Sequence, residues 1–381
     1  MNLYRKLIPE KIRIKIRNIQ YFFGHFLYKI KRYLLIKKVK KINKKIFIKK
    51  RPSIFYIIPT TKITGGVAVC CEHLNRLKEL GYEVLFVSYD NKTDLSWFPN
   101  QKVRVIPLKG NKKTLENYDI GVATGWITAY ELDLINVKRK IYFVQSDERR
   151  FYPKGSFLKK RVEETYKMPF EFITEAKWIK KWLKDEFNKN AIYIPNGVNI
   201  KIFHPSKPLI PKNKGKIRIL VEGAANLPFK GVEESLKILN EIKKDLKNIE
   251  ILYLNADGRP NPYWKYDYYL EKIPMIKMKK VYSSCDFMLK LSEVEGFPGP
   301  PLEMIMCGGK VIIKRTKGIE EYVNYFPDSF LVLDKIDKNK IIDFILKNKS
   351  NKNKKIKLPK KLEWKYSISK LASILKKYKY V

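Results

Sequence analysis

Two glutamates, Glu295 and Glu303, stand eight positions apart in the stretch SEVEGFPGPPLEMIMCGGKVII at 292–313. The residues between them are mostly glycine and proline. Pro300 and Pro301 favour the start of a helix, because their rings fix the backbone dihedral that a first helical turn requires. Glu303 would then lie in that first turn. Carboxylates at the two ends of such a turn can accept hydrogen bonds from adjacent hydroxyls of a sugar or a ribose.

The same turn could also bind an anion. The backbone N–H groups of Gly299 and Leu302 lack helical partners at a helix start, so they can face a phosphate. A simpler interpretation is that Glu303 only favours the helix dipole and that Glu295 is solvated. The apolar run DFMLKL directly before the turn predicts a buried strand that ends at Leu291.

Strands and helices alternate on both sides of a lysine- and proline-rich segment at 205–215. Before it, Val67 to Leu80 reads as a helix between two apolar strands, which gives a βαβ unit. The predicted strands are IFYIIP, EVLFVS, VRVIPL, YDIGVAT, KIYFVQ and AIYIP in the first series, and IRILVEG, IEILYLN, DFMLKL and KVIIK in the second. The pattern predicts an α/β protein of two Rossmann-like parallel-sheet domains that face a cleft.

The chain of 381 residues is long enough for two such domains. We divide it into a basic N-terminal extension at 1–51, a first domain at 52–210, a second domain at 211–362 and a C-terminal helix at 363–381. Ligands of open α/β sheets collect where the carboxyl ends of strands meet loops and helix N-termini. The turn with the two glutamates lies at such an end.

Cysteine and histidine usage bounds the chemistry. The four cysteines lie inside apolar segments, without the spacing of a disulfide framework or a metal site, which is typical of a reducing compartment. Three scattered histidines are too few for a histidine-based metal site. The sequence has no uncharged apolar run of 18 residues and no secretion signal at its start, so we expect a cytoplasmic protein.

The formal net charge of +42 is concentrated at the N-terminus, where residues 1–51 carry 18 lysines and arginines against one acid. Apolar residues recur there at helical spacing with lysines between them, which is typical of an amphipathic helix on an anionic membrane surface. Compositional bias is the alternative, because lysine and isoleucine are abundant throughout the chain. No DNA- or RNA-binding motif accompanies the charge, so we expect no nucleic-acid partner. The spaced residues are Ile19, Phe23, Phe26, Ile30 and Leu34.

The stretch EGFPGPPLEMIMCGGKVI resembles the signature of the family 4 glycosyltransferases of the GT-B fold. In that family two glutamates separated by seven residues contact the donor sugar and the ribose of a nucleotide-sugar. Three more segments are similar to the family in order and spacing, namely GGVAVCCEHLNRLKELGYEV, IPNGVN and FKGVEESLKIL. The segments YFVQSDERRFYPKGS and EETYKMPFEFITEAKWIKKWL are similar to its rhamnosyltransferases. The resemblance extends from about residue 54 to 345.

The resemblance implies a role for each matching residue. Glu303 would bind the ribose, Glu295 would contact the transferred sugar, and Lys230 would neutralise the diphosphate. Further residues are implied at the nucleotide-sugar, namely Gly223, Arg259, Phe297, Gly299 and Leu302.

Two positions depart from the family pattern. Many relatives place an arginine just after the glycine that ends the first strand of the second domain, and this chain has Ala224 there. Lys230 would then carry the positive charge at the diphosphate alone, or with help from Arg259 or Lys314. Pro298 stands where many relatives have glycine, which removes one backbone donor.

The first domain offers two further candidate segments. Gly65 and Gly66 precede a predicted helix, so their backbone can approach a phosphate or an acceptor, although a tight turn without a ligand is an equal alternative. Asp147 and Glu148 follow the strand KIYFVQ, where many relatives carry a histidine. Both are candidates to contact the acceptor hydroxyl, with Asp147 as a catalytic residue. The alternative is an ordinary surface loop.

The reaction implied is transfer of a hexosyl group from a nucleotide-diphosphate-sugar to a glycan or lipid-linked glycan, with retention of configuration, in cell-surface polysaccharide biosynthesis. Lysines and helix N-termini can neutralise the diphosphate, and no DxD-type pair occurs at a plausible loop, so neither a metal nor a cofactor is expected. The protein would act at the inner face of the cell membrane. Two alternatives stay open: a transfer-inactive scaffold subunit, which Ala224 favours, and a nucleotide-sugar 2-epimerase, which shares the fold.

Overall fold

The computed structural model describes residues 10–39, 51–349 and 356–378, and within them it contains two parallel β-sheets. The first sheet has the strand order β3-β2-β1-β4-β5-β6-β7 and the second has the order β10-β9-β8-β11-β12-β13. The strands are β1 (Ile54–Ile58), β2 (Val84–Ser88), β3 (Val105–Pro107), β4 (Ile120–Ala123), β5 (Arg139–Val144), β6 (Glu171–Thr174), β7 (Ala191–Tyr193), β8 (Ile217–Glu222), β9 (Ile249–Asn255), β10 (Tyr268–Glu271), β11 (Phe287–Lys290), β12 (Lys310–Lys314) and β13 (Phe330–Leu333).

Helices cover both faces of each sheet, as a parallel sheet requires. They are α1 (Glu10–Val39), α2 (Gly65–Glu79), α3 (Lys112–Leu115), α4 (Trp126–Asp133), α5 (Phe157–Lys167), α6 (Lys177–Phe187), α7 (Val232–Asp245), α8 (Met275–Ser283), α9 (Gly299–Met306), α10 (Lys338–Asn348) and α11 (Trp364–Lys377). The fold predicted from sequence, two parallel-sheet α/β domains, is confirmed.

Strand β1 shows why its sequence reads as one unbroken apolar run. All five of its residues are buried. Alternate side chains point to opposite faces of the sheet, so Phe55 and Ile57 join one hydrophobic cluster while Ile54, Tyr56 and Ile58 join the other. Because helices pack on both faces, apolar side chains are favoured at every position of this strand.

Helix α1 confirms the predicted N-terminal helix, and it docks on the first domain along one side. Its Tyr28 hydroxyl donates to Asp133 of α4 at 2.5 Å, and Arg32 pairs with the same carboxylate at 2.8 Å. Other large apolar side chains of the helix, which we call the apolar arc, are 42% to 62% exposed, namely Ile19, Phe23, Phe26, Leu27, Ile30, Tyr33, Leu34 and Ile36. Phe22, although 61% exposed, packs against Phe157 of α5 with ring centres 6.2 Å apart. The rest of the extension, at 1–9 and 40–50, lies outside the described residues.

The chain crosses between the two domains twice, and the crossings lie side by side. The segment after β7 enters the second domain, and the segment before α11 returns from it. Val198 in the first donates its backbone N–H to the carbonyl of Leu362 in the second at 2.9 Å. Helix α11 then packs on the first sheet, where Leu371 and Leu375 join the same hydrophobic cluster as Leu74 of α2.

Candidate functional site

The carboxyl ends of β8 and β11 place charged side chains together at the cleft. These strands are parallel neighbours with Leu289 opposite Val221, so their last residues, Lys290 and Glu222, lie next to one another. The Lys290 ammonium lies 2.9 Å from the Glu222 carboxylate. An ion pair thus joins the carboxyl ends of the two strands.

The loops that follow these strands add Lys230 and Glu295. The Lys230 ammonium lies 3.0 and 3.1 Å from the two carboxylate oxygens of Glu295, and Lys290 lies 3.6 Å from the same carboxylate. We call Glu222, Lys230, Lys290 and Glu295 the ionic cluster. Burial opposes ionisation of Glu295, but the two lysines outweigh it and hold the pKa of this carboxyl below its ordinary value. Glu295 is therefore a carboxylate at neutral pH.

Backbone contacts fix the two loops relative to each other. Lys230 ends a short 3-10 turn at Pro228–Lys230, and the N–H of Glu293 donates to the Phe229 carbonyl of that turn at 2.8 Å. The hydroxyl of Ser292 donates to the Lys230 carbonyl at 3.3 Å. The positions of Lys230 and Glu295 are thus set by the main chain as well as by their own ion pair.

Glu303 lies in α9, the helix predicted from Pro300 and Pro301, which begins at Gly299. The predicted place of Glu303 in the first turn is wrong, because the helix starts before the prolines and its first turn holds no acid. The Tyr282 hydroxyl of α8 donates to the Glu303 carboxylate at 2.8 Å. Burial raises the pKa of Glu303 to about 7, and the nearby Glu222 and Glu72 add to the rise, while the Tyr282 hydroxyl opposes it. Leu302 is buried beneath this turn, and Phe297 packs against Tyr322 with ring centres 5.1 Å apart.

The other residues predicted to contact the phosphate do not all lie at the ionic cluster. Gly223 directly follows β8 and packs beside Lys230. Arg259 is exposed in the loop after β9. Asp257 of the same loop pairs with Lys62 of the first domain at 3.0 Å. Lys314, the other candidate helper, pairs with Glu293 at 3.6 Å. The structure therefore joins Lys230, and neither Arg259 nor Lys314, to the ionic cluster.

The turn that carries Glu295 lies directly against the first domain. A Cβ atom at Gly296 would lie 1.7 Å from the carbonyl oxygen of Gln145, so only glycine fits this approach. The indole N–H of Trp178 donates to the Gly296 carbonyl at 2.9 Å, and the Gln145 amide donates to the Gly66 carbonyl at 3.2 Å. These contacts bring the start of α2, with Gly65 and Gly66, close to the turn that carries Glu295.

Asp147 and Glu148 are both engaged by neighbours in the first domain. Arg149 donates to the two carboxylate oxygens of Asp147 at 2.8 and 2.9 Å. Glu148 accepts from the Trp126 backbone N–H at 2.7 Å and from the Tyr142 hydroxyl at 2.8 Å. Burial raises the pKa of Glu148 to about 7, and these two donors oppose the rise. In this arrangement both acids stabilise the loop after β5.

Glu175 is a cleft residue that the sequence analysis missed. It follows β6 and is buried, and it accepts from the Asn196 amide at 2.8 Å and from the Gln145 amide at 3.4 Å. Burial raises its pKa to about 8, although the amides and the Phe297 N–H oppose the rise. The signal in the sequence was an acid directly after the apolar run FEFIT.

Glu175→Gln should flatten the dependence of stability on pH. The folded pKa of Glu175 lies above the unfolded value, so the folded state holds this proton more tightly. The resulting stabilisation is fully present below about pH 4.3 and falls as pH rises through about 8. Between pH 5 and pH 8 the thermal unfolding midpoint should therefore fall further in the wild type than in Glu175→Gln. The exposed Glu79→Gln is the matched control, and equal slopes in all three proteins would contradict the expectation.

No group of three or more histidine, cysteine, aspartate or glutamate side chains among the described residues is arranged to hold a metal ion. None of the helices in the described ranges is both long and apolar enough to span a bilayer.

The similarity of the chain to known proteins is limited in sequence and extensive in fold. No protein-family model matches the chain. It is 29% identical over 147 residues to a protein provisionally named glycosyltransferase 63 of the Sulfolobus islandicus filamentous virus, isolate Iceland/Hveragerdi. That match covers 37% of this chain, which spans about half, 49%, of the curated relative.

Two solved structures match over most of both chains. The pneumococcal O-GlcNAc transferase GtfA, solved with UDP and GlcNAc, has a TM-score of 0.65 at 9% identity, over 87% of this chain and 100% of its own. A protein provisionally described as a UDP-N-acetylglucosamine 2-epimerase from Listeria monocytogenes has a TM-score of 0.58 at 15% identity, over 86% of this chain and 96% of its own. At such identities the likeness concerns the fold alone. The chain has the GT-B fold, with two parallel-sheet α/β domains facing a cleft.

Proposed function

We propose that this chain is a glycosyltransferase that moves a sugar from a nucleotide-diphosphate-sugar to a glycan or lipid-linked glycan acceptor. The observation that carries the proposal is the position of Lys230. Its ammonium is partly exposed at the cleft and stands beside a carboxylate, Glu295, that two lysines keep ionised. The GT-B fold and the name of the viral relative support the same activity.

The chemistry assigned to the cluster follows from the charge that develops during transfer. As the bond between sugar and diphosphate breaks, negative charge grows on the leaving group and positive charge on the sugar ring. Lys230 and the N-terminus of α9 would stabilise the negative charge on the leaving group, and Glu295 would stabilise the positive charge on the sugar ring. Glu303, in the same helix, would accept hydrogen bonds from the ribose. This assignment uses no metal or cofactor, and we propose retention of configuration.

Helix α1 supports an acceptor held at a membrane. Its apolar arc is exposed, and the extension around it is strongly basic. Such a helix can lie in the interface of an anionic bilayer with its apolar side chains among the lipids. We therefore propose peripheral association with the inner face of the cell membrane, in the synthesis of a cell-surface polysaccharide.

A donor screen tests the proposed activity. UDP-, GDP- and dTDP-sugars are added to the full chain, and the unfolding midpoint is followed, because a ligand that binds only the folded state raises it. The donor that binds is then incubated with and without glycan acceptors, and the products are identified. Transfer to an acceptor supports the proposal. Conversion of the donor to its epimer without acceptor would establish the epimerase, and binding without turnover would establish the scaffold.

Removing the N-terminal extension should release the protein from anionic vesicles. Each lysine or arginine near an anionic surface contributes about 1 kcal/mol, and salt screens this attraction. Full-length protein should therefore bind phosphatidylserine-containing vesicles less as salt is raised, and should bind neutral vesicles little. Protein lacking residues 1–51 should stay in solution in a sedimentation assay but bind donor normally.

A triple variant separates the apolar arc from the charge. Phe23→Ser, Phe26→Ser and Leu34→Ser together leave every basic residue in place, as well as the docking contacts of Phe22, Tyr28 and Arg32. Vesicle binding should fall although net charge is unchanged. If the full-length, truncated and triple-variant proteins sediment alike, α1 is only a packed extension of the first domain.

A further inference from the structure

Lys290 is a lysine buried within a parallel sheet. It ends β11, and its side chain is 3% exposed. Burial alone would lower the pKa of this ammonium, but Glu222 and Glu295 outweigh burial and raise it. Lys290 is thus charged, with one carboxylate at 2.9 Å and another at 3.6 Å. The proposed transfer chemistry assigns no role to it.

The contacts of Lys230 show why a second lysine matters. Both oxygens of Glu295 bind the Lys230 ammonium in this structure. One N–H of that ammonium is left for a diphosphate, and to offer more it must give up a contact with Glu295, whose side chain is only 9% exposed. A buried carboxylate that loses its cation is strongly destabilised, because neither water nor another charge replaces it. A second cation beside Glu295 prevents that loss when Lys230 turns toward the diphosphate.

We propose that Lys290 is a positioning residue, whose ammonium keeps Glu295 ionised and in place while Lys230 leaves it to bind the donor diphosphate. Lys290 is too deeply buried to be the phosphate ligand itself, and Lys230, at 25% exposed, is the more accessible lysine. Glu222 anchors Lys290 from the neighbouring strand through the register of β8 and β11. This inference rests on the proposed glycosyl transfer.

Removing Lys290 alone would leave the half-buried Glu222 without a cation and Glu295 with Lys230 only, so a loss of function in Lys290→Met could come from unfolding and is not sufficient as a test. The double variant Lys290→Met with Glu222→Gln removes the buried pair as a unit, which is far less destabilising than removing one partner. Glu222→Gln alone is the matched control, since it keeps the ammonium beside Glu295. Each protein is measured for its unfolding midpoint, for its affinity for pyrophosphate, UDP, GDP and dTDP, and for transfer.

The double variant should be folded, with an unfolding midpoint close to that of Glu222→Gln. Its affinity for the diphosphate probes and its turnover should nevertheless stay about 10- to 100-fold below those of the control, the range for a lost charged hydrogen bond. Equal affinity and turnover in the double variant and the control would overturn the inference and leave Lys290 as a structural partner of Glu222. If the proposed function is wrong, the result is different: the wild type binds none of the diphosphate probes, and the inference about Lys290 is then wrong as well.

Discussion

Lys230→Ala should lower turnover by about 100- to 1,000-fold, the range measured when one preorganised electrostatic contact to a reacting centre is removed. The loss should appear mainly in kcat at saturating donor, because charge on the diphosphate is greatest in the transition state. Diphosphate affinity should fall as well, but by less. Initial rates over a range of donor concentrations separate the two effects.

Lys237→Ala is the matched control for this variant. Lys237 belongs to the neighbouring helix α7 and forms an exposed ion pair with Glu233, so its removal should leave turnover unchanged. The unfolding midpoint of Lys230→Ala must also be measured, because Glu295 loses a partner. If Lys230→Ala transfers normally while Arg259→Ala does not, the phosphate charge belongs to the exposed loop after β9 and the role of Lys230 is wrong.

Substitution of Glu303 should mainly affect nucleotide binding, whereas substitution of Glu295 should mainly affect sugar transfer. Glu303→Gln should weaken nucleotide binding, because a neutral amide accepts hydrogen bonds from ribose hydroxyls less strongly than a carboxylate does. Glu295→Gln should lower transfer more than it weakens binding of the free nucleoside diphosphate, which carries no sugar for Glu295 to contact. Calorimetry with the nucleoside diphosphate and transfer rates with the intact donor distinguish the two.

Glu233→Gln serves as the control for both substitutions, since Glu233 is an exposed glutamate of the same domain. Equal transfer rates in the wild type and both cleft variants would remove the glutamate pair from the donor site. A loss of binding in Glu295→Gln as large as in Glu303→Gln would instead place both side chains at the nucleotide.

Sequence patterns predicted most of the buried strands, because a strand covered on both faces is mainly apolar. Strand β1 is apolar throughout, and the runs of β8, β9 and β11 stay recognisable although each contains a charged residue that is paired in the structure. Strands β6, β10 and β13, which have four residues each, were not predicted. Strand β10 is only partly buried, so its residues YYLE carry no apolar run. Its place in the sheet comes from pairing with β9, which local sequence cannot reveal.

The part of the site that is formed by neighbouring residues in the sequence was predictable, and the part formed by strand pairing was not. Glu295 and Glu303 belong to one continuous motif, whereas Lys290 and Glu222 are 68 residues apart and meet only through strand register. A lysine inside the run DFMLKL was the available signal, since a buried ammonium must have a partner. Nothing in the sequence identified that partner, or the packing of Gly296 against Gln145.

Because the chain returns to the first domain at α11, the two domains cannot fold in the order in which they are synthesised. Helix α11 supplies Leu371 and Leu375 to a hydrophobic cluster whose other members, such as Leu74, are made some 300 residues earlier. The ribosome therefore releases the whole second domain before the first can complete its core. The second domain must fold while its neighbour still exposes an unfinished apolar surface. Nascent chains stopped before Trp364 should accordingly require a chaperone that holds this surface until the last helix arrives.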